Sequence, residues 1–500
     1  MMLRSFAARL APLYTFIRNA AWALFLVCLP VTNFPYFPKE MGGLALVRPL
    51  SLYPLLVLLV LFTLPRLFSR PAPRTLLTLL PFTLVALASS IFSTLQGIEP
   101  ALGISVAART LRALITLGIG CAMYYTVALL PRSIPELRLS LRWLYLGFIL
   151  ALGWGSLQAV YVLRFDSQYY QWLKSLQSFI STRTLFTTRI SGMTYEPNWF
   201  AEQISVLLMP WLFSAVLSGS SVFRWRWRWL TVEWLLLVWS LVILVLTFSR
   251  AGLLNLIGLV VISFIFLRPQ RAAASGKLHR ARLLWLRRLL EASLLLAILF
   301  GSLFIASSKN PFFARLWGYW SVVKETSLLD YFDYVGFGAR LMYAEAAFDI
   351  YDRHPVLGIG LGNFAFYVKE ALPDRLLAQN PEILRILTPE IGRNRLVTPK
   401  NFYLRILAET GLAGAAAFSA FLVAILGCTL ALLRSRQNGS PFWGKAGVLV
   451  LVAFGMAGIS FDSFAIPNIW VNFGLITAAA WTGVLPGGRA DKPEEDAPTG

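Results

Sequence analysis

Apolar segments of membrane-spanning length recur along the whole of this chain, and nothing constrains its folding more. A hydrocarbon core about 30 Å thick takes roughly 20 apolar residues in helical form, because every backbone N–H and C=O inside it must be satisfied within its own segment. About twelve such stretches can be drawn. They are Arg18 to Pro30, Leu50 to Leu64, Thr75 to Leu95, Leu111 to Pro131, Leu141 to Leu163, Phe200 to Leu217, Leu230 to Phe248, Ala251 to Leu267, Leu289 to Ala306, Gly411 to Leu433, Ala446 to Phe461 and Ile469 to Leu485. The first is as short as a signal-peptide h-region, but it lacks a small-residue cleavage site and so reads as an anchor. With 57% hydrophobic residues and a mean hydropathy of +0.65, the chain is expected to be an all-α, polytopic membrane protein.

A polar stretch of roughly a hundred residues, Lys309 to Arg405, interrupts this pattern; it is too long for a connector and is expected to be functional. The organisation predicted is nine membrane helices over residues 1–308, the loop over 309–405, three more helices over 406–485, and a disordered tail over 486–500. Basic residues set the orientation. Arg4, Arg9 and Arg18, then Arg66, Arg70 and Arg74, Arg132, Arg138 and Arg142, Arg224, Arg226 and Arg228, Arg268 through Arg288, and Arg434, Arg436 and Lys445 all fall on one side. By the positive-inside rule that side is cytoplasmic, so both termini are expected inside and the long loop outside. This placement argues against ATP-driven or nucleotide-sugar-driven chemistry in the loop.

The same count explains much of the net charge of +21 without nucleic acid, since basic loops beside membrane helices serve as topology signals and contacts to anionic lipid. The alternation of Arg224, Trp225, Arg226, Trp227, Arg228 and Trp229 reads as an interfacial anchor. Cys28, Cys121 and Cys428 lie in apolar segments and give neither metal spacing nor a disulfide framework. No metal or cofactor is expected.

Charge gathers at three outer boundaries. The first, Thr188 to Phe200, carries Arg189 and Glu196 and leads into a membrane segment still holding Glu202 and Gln203; ionisable groups at that depth face a cavity or a partner. Arg189 and Glu196 either pair to cap the helix entrance or serve the site. The second, Thr247 to Gly252, holds Arg250, which either snorkels to headgroups or presents a planar donor fork to phosphate. The third is the long loop. There, Arg340 opens an amphipathic helix, Leu341 to Tyr351, that could lie on the membrane, and His354 is a candidate base or a structural imidazole. Gly358, Gly360 and Gly362 superficially suggest a nucleotide fingerprint but, without a Rossmann strand and helix, read as a tight turn. At the loop's end Thr398 and Pro399 predict an N-cap and first helical residue, which puts Lys400 in the first turn, where the helix dipole disfavours a cation unless an anion binds. The alternative is a solvated surface lysine.

These residues resemble the O-antigen ligase and polysaccharide polymerase family. Its signature is a His-Asn pair, nine residues, Gly, two residues and Gly; Asn401, Phe402 to Thr410, Gly411 and Gly414 fit it, with Lys400 in place of histidine. His354 to Phe364 resembles the family's His-Pro-hydrophobic-Gly-x-Gly stretch, and Ser249 to Gly252 its outer Ser-Arg turn.

The resemblance implies a GT-C-like membrane fold and an inverting, metal-independent transfer of a glycan from a polyprenyl (undecaprenyl) diphosphate carrier to an acceptor sugar hydroxyl. The reaction would take place at the outer leaflet of a bacterial inner membrane. Donor-binding roles then fall on Arg189, Arg250, Arg340 and Asn401, and the family's histidine position on Lys400. The residues themselves allow the same chemistry, since arginines can stabilise a departing diphosphate, and Glu196, His354 and a deprotonated Lys400 are the available types of base. Two other classes stay open. A secondary transporter of an anion would also use membrane-embedded Arg and Glu, although the chain shows no internal repeat, and a non-catalytic glycan-assembly subunit would keep the loop without needing Arg250.

Overall fold

The structure, a computed structural model, describes residues 2–36, 47–69, 71–228, 230–266, 338–372, 396–435 and 440–483, with isolated positions between 286 and 308. The expected span Leu289 to Ala306, most of the long loop and the acidic tail therefore lie largely or wholly outside the described residues. Every other expected segment overlaps a helix. In chain order these are α1 (Met2–Val27), α2 (Leu52–Ser69), α3 (Arg74–Leu95), α4 (Val106–Leu129), α5 (Ile134–Leu163), the short α6 (Ser167–Gln177), α7 (Pro197–Ser218), α8 (Val232–Leu246) and α9 (Arg250–Phe266). The loop supplies α10 (Gly338–Arg353) and α11 (Phe364–Ala371), and the bundle closes with α12 (Phe402–Arg434), α13 (Ser440–Ala457) and α14 (Pro467–Gly483). Among the described residues seven helices are long and apolar enough to cross a membrane, and three more apolar helices are shorter.

Helix starts follow the side chains available to capture their first N–H groups. Ser105, Ser133, Asp166, Thr231 and Asn401 each accept a backbone N–H from the first turn of α4, α5, α6, α8 and α12. The Arg-Trp repeat forms an exposed antiparallel hairpin, Arg226–Trp227 with Leu230–Thr231. It lies at the same end of the bundle as the other basic turns. Alternation of the helices carries Arg66, Arg74, Arg132 and Arg434 there too, and Lys445 donates to the Leu217 carbonyl at 2.9 Å.

The centre is made by α7 and α14, almost wholly buried against α4, α5, α12 and α13. Some of the polar groups inside it are paired across helices. Asn472 of α14 accepts the Trp211 indole N–H at 2.8 Å and donates to the Val206 carbonyl at 2.6 Å. That carbonyl lies in a π-helical stretch, Gln203–Leu208, directly after Glu202. The apolar face of α10 does not lie on a membrane surface; Met342, Tyr343, Ala346, Ala347 and Ile350 pack on Phe364, Val368 and Ala371 of α11 and Ala408 of α12. The loop thus folds onto the bundle end opposite the basic turns.

Candidate active site

Between α8 and α9 only Thr247, Phe248 and Ser249 intervene, and the turn is closed by Phe248 at φ +51 and by the Ser249 hydroxyl accepting the Gly252 N–H at 3.3 Å. Arg250 is consequently the first residue of α9. The turn's carbonyls are held by Arg189, whose Nε donates to Thr247 O at 3.0 Å and Nη2 to Phe248 O at 3.3 Å and to Asn198 Oδ1 at 2.8 Å. The loop before α7 is set to allow this: Ile190 N–H donates to Leu246 O, and the buried Gln158 of α5 accepts from Ser191 and Gly192 N–H and donates to Gly192 O. Gly192 is required there, since at φ +56 a Cβ would stand 2.7 Å from the Phe200 ring. Burial lowers the Arg189 guanidinium to about 10, with the Glu196 carboxylate opposing and Arg250 reinforcing the shift; it remains a cation at neutral pH.

Glu196 makes its ion pair at the α7 entrance with Arg183, at 3.7 Å. The Arg183 guanidinium also lies 4.8 Å from the ring centroids of both Phe186 and Tyr195. This clamp engages the Glu196 carboxylate and weakens the case for it as a mobile base.

The start of α12 differs from expectation. Asn401, not Thr398, is the N-cap, accepting from Tyr403 N at 3.0 Å and Leu404 N at 3.1 Å, so Lys400 precedes the helix with φ +52. An Asn side chain that satisfies two first-turn N–H groups outcompetes the Thr-Pro signal. Lys400 N–H donates to Asp462 Oδ2 at 2.8 Å, and its Nζ sits 5.1 Å from the Tyr343 ring centroid, within cation–π range. Arg340 stands three residues before Tyr343 on α10 and so shares its helix face. Lys400 therefore lies against the face of α10 that also carries Arg340. His354 lies eleven residues beyond Tyr343, roughly 16 Å along the helix axis. It packs edge-on against Tyr367 at 5.7 Å, apart from Lys400.

One turn into α12, Arg405 Nε meets Glu409 Oε2 at 2.9 Å and its Nη1 donates to Asp462 O. The helix then breaks at Gly411 (φ 63, ψ −166). The backbone groups so released pair with the glycine turn: Ile359 N–H and Gly360 N–H donate to Ala408 O and Glu409 O, while Leu412 N–H and Ala413 N–H donate to Pro355 O and Val356 O. Gly358, Gly360 and Gly362 all have positive φ, which bears out a tight turn at this place. The turn is pinned by Ser89, Ser90 and Ser93 of α3 and by Thr110 and Arg109 of α4, whose Nε donates to Gly362 O at 3.0 Å. Gly414 is needed because a Cβ would stand 2.0 Å from the Thr410 hydroxyl. Arg109 lies within electrostatic reach of Arg405, Glu409 and Asp462.

Glu202 joins the two halves. It stands one turn below Asn198 on α7, accepts from Asn468 Nδ2 of α14 at 3.0 Å, and lies within electrostatic reach of Asp462. A line of polar groups therefore runs along the end of the bundle that carries the loop, from Arg250 and Arg189 through Asn198 and Glu202 to Asp462, Lys400 and Arg405. Among the expected site residues, Arg189 joins Arg250, and Lys400 adjoins Asn401 and lies against the α10 face that carries Arg340, whereas His354 stays outside. Arg109, Gln158, Arg183, Asp462 and Asn468 were not foreseen; the one available signal was a polar residue inside or at the edge of an apolar run.

No curated protein matches the chain. Residues 235–419, from α8 to the first half of α12, match the family model described as O-Antigen ligase. That stretch contains Arg250, Arg340, His354, Lys400, Asn401, Gly411 and Gly414, and it bears out the resemblance carried by the same motifs: the chain is a multi-pass membrane protein similar to the O-antigen ligases, a family of glycan transfer in polysaccharide assembly.

Proposed function

We propose that this protein transfers a glycan from a polyprenyl (undecaprenyl) diphosphate carrier to an acceptor sugar hydroxyl, with inversion and without a metal, as an O-antigen ligase or polysaccharide polymerase. The observation that carries this reading is the juxtaposition of Arg189 and Arg250 at the N-terminus of α9. Two guanidinium groups beside a helix N-terminus repel one another and the dipole, an arrangement that a dianionic ligand relieves. A diphosphate leaving group is such a ligand, and planar donor forks aimed at it stabilise the charge that develops as the glycosidic bond to the carrier breaks. Lys400 and Arg340 supply further positive charge across the site, and Asn401 holds the backbone that presents Lys400. By the positive-inside rule this end of the bundle faces out of the cytoplasm of a bacterial inner membrane, with both termini inside, so that the donor is met at the outer leaflet.

Incubation of the purified protein in detergent with an undecaprenyl diphosphate-linked oligosaccharide tests the proposal. Transfer consumes the donor. Donor untouched in detergent, with anion flux into sealed vesicles holding only this protein, would establish a transporter instead. Donor bound but not consumed would leave a non-catalytic subunit.

A further inference from the structure

Resting on the glycan-transfer reading, we infer that Glu202 is the group that accepts the proton of the acceptor hydroxyl. The acidic side chains at this end of the bundle have distinct occupations. Glu196 is clamped by Arg183; Glu409 takes Arg405 and the Gly362 N–H; Asp462 takes the Lys400 N–H on its carboxylate and Arg405 on its carbonyl. A carboxylate held by a guanidinium is a weak proton acceptor, because the proton must displace a charge-assisted bond. Glu202 and Asp462 each receive a single neutral N–H on the carboxylate, from Asn468 and Lys400, and neither forms an ion pair among the described residues; of the two, Glu202 shares a helix face with Asn198, the partner of Arg189. It is partly buried in a membrane-spanning helix, where an ionisable group marks function rather than stability. A π-helical stretch begins at the next residue, a distortion frequent at functional sites.

Its position suits the role. Asn198, held by Arg189, is one turn above on the same face, so Glu202 lies one helical turn from the group that contacts the proposed diphosphate-binding arginine. The charged group within electrostatic reach of Glu202 is Asp462 of the α13–α14 turn, whose carboxylate accepts the Lys400 N–H; Arg189 connects to its helix through Asn198. In the step, the acceptor O–H proton passes to the Glu202 carboxylate and the oxygen lone pair forms the new bond to the anomeric carbon. The bond from that carbon to the diphosphate breaks, and its electron pair leaves on the polyprenyl diphosphate. In this assignment Lys400, whose Nζ lies over the Tyr343 ring, contributes positive charge and Glu202 the proton acceptor.

The test uses the full-length protein in detergent, an undecaprenyl diphosphate-linked oligosaccharide as donor, and the same oligosaccharide or a lipid A–core glycolipid as acceptor. Glu202→Gln keeps the size and an oxygen for Asn468. Transfer should fall on the order of 10²–10⁴-fold while the donor Kd stays within about twofold, and the acidic limb of the parent pH–rate profile should vanish. Glu202→Ala should be equally slow and recover about tenfold or more on addition of formate, which a merely structural role would not show. A Glu202→Gln protein with the parent rate and profile, or one that loses donor binding in step with rate, overturns the assignment, as does absence of formate rescue in a folded Glu202→Ala protein. A parent protein that consumes no donor overturns the glycan-transfer reading, and this inference with it; an active parent beside an active Glu202→Gln sinks only the inference.

Discussion

Arg405 Nε lies 2.9 Å from Glu409 Oε2 within one turn of α12, and the same oxygen accepts the Gly362 N–H of the loop at 2.7 Å. Both side chains are buried, so the pair joins a membrane helix to the folded loop at a place where neither charge can be left alone. Glu409→Gln keeps an acceptor for Gly362 but removes the countercharge of Arg405. Breaking one side of a buried pair costs about 3–5 kcal/mol, so thermal unfolding in detergent should drop markedly. A melting curve equal to the parent's would show that Arg405 is satisfied by other groups.

Gly411 combines φ +63 with ψ −166, a conformation open essentially only to glycine, and a Cβ there would stand 2.3 Å from Val356 O. Gly411→Ala should undock the Pro355–Leu361 segment. Limited proteolysis should then cut within residues 354–363 at protease levels that leave the parent intact, and transfer should fall about tenfold or more. Protection equal to the parent's would mean that the ladder between the break and the turn does not hold the loop.

Arg250→Lys keeps the charge at the N-terminus of α9 and loses the planar fork. If the fork binds diphosphate, transfer should decline roughly ten- to a hundredfold at unchanged protein level, with weaker donor binding. Full activity would leave Arg250 a lipid-anchoring role.

Lys400 sits at φ +52, which Asn tolerates, so Lys400→Asn removes the charge without straining the turn. Donor binding should weaken about tenfold in Lys400→Asn and be largely kept in Lys400→Arg, which stays protonated. Loss of transfer in Lys400→Arg with donor binding intact would instead make Lys400 a proton acceptor.

Orientation is open to direct labelling. Single cysteines at Ser327 and Asn380, introduced into a Cys28→Ser background because Cys28 is half-buried while Cys121 and Cys428 are buried, should react with an impermeant thiol reagent in intact spheroplasts. Labelling only after lysis would place the loop in the cytoplasm.

The spans were legible because hydropathy is local, and the convergence of Arg189 with Arg250 was foreshadowed by the charge at two outer boundaries. The start of α12 was misread by three residues, since Thr398-Pro399 and Asn401 both carry start signals, and the choice rests on the two first-turn N–H groups that Asn401 accepts together with the tertiary contact of Lys400 N–H with Asp462. The break at Gly411 explains why the apolar run begins there although helical backbone begins at Phe402. Gln158, Arg109 and Asn468 act across long sequence separations, on Gly192, Gly362 and Glu202, and periodicity within their own helices carries no trace of those partners. The Arg405–Glu409 pair was also missed, although its i,i+4 spacing at the entrance of an apolar helix is a signal that the sequence carries.

The most direct measurement follows both products at once, counting polyprenyl diphosphate released and glycosidic bonds formed by the purified protein from a lipid-linked oligosaccharide and a sugar acceptor. Glycan transfer at the arginine-lined site gives equal amounts of the two, an inverted anomeric configuration at the new linkage, and near loss of both in Arg250→Lys and Glu202→Gln. Release of the lipid diphosphate without a new bond, or no release from active, folded protein supplied with its acceptor, would contradict it.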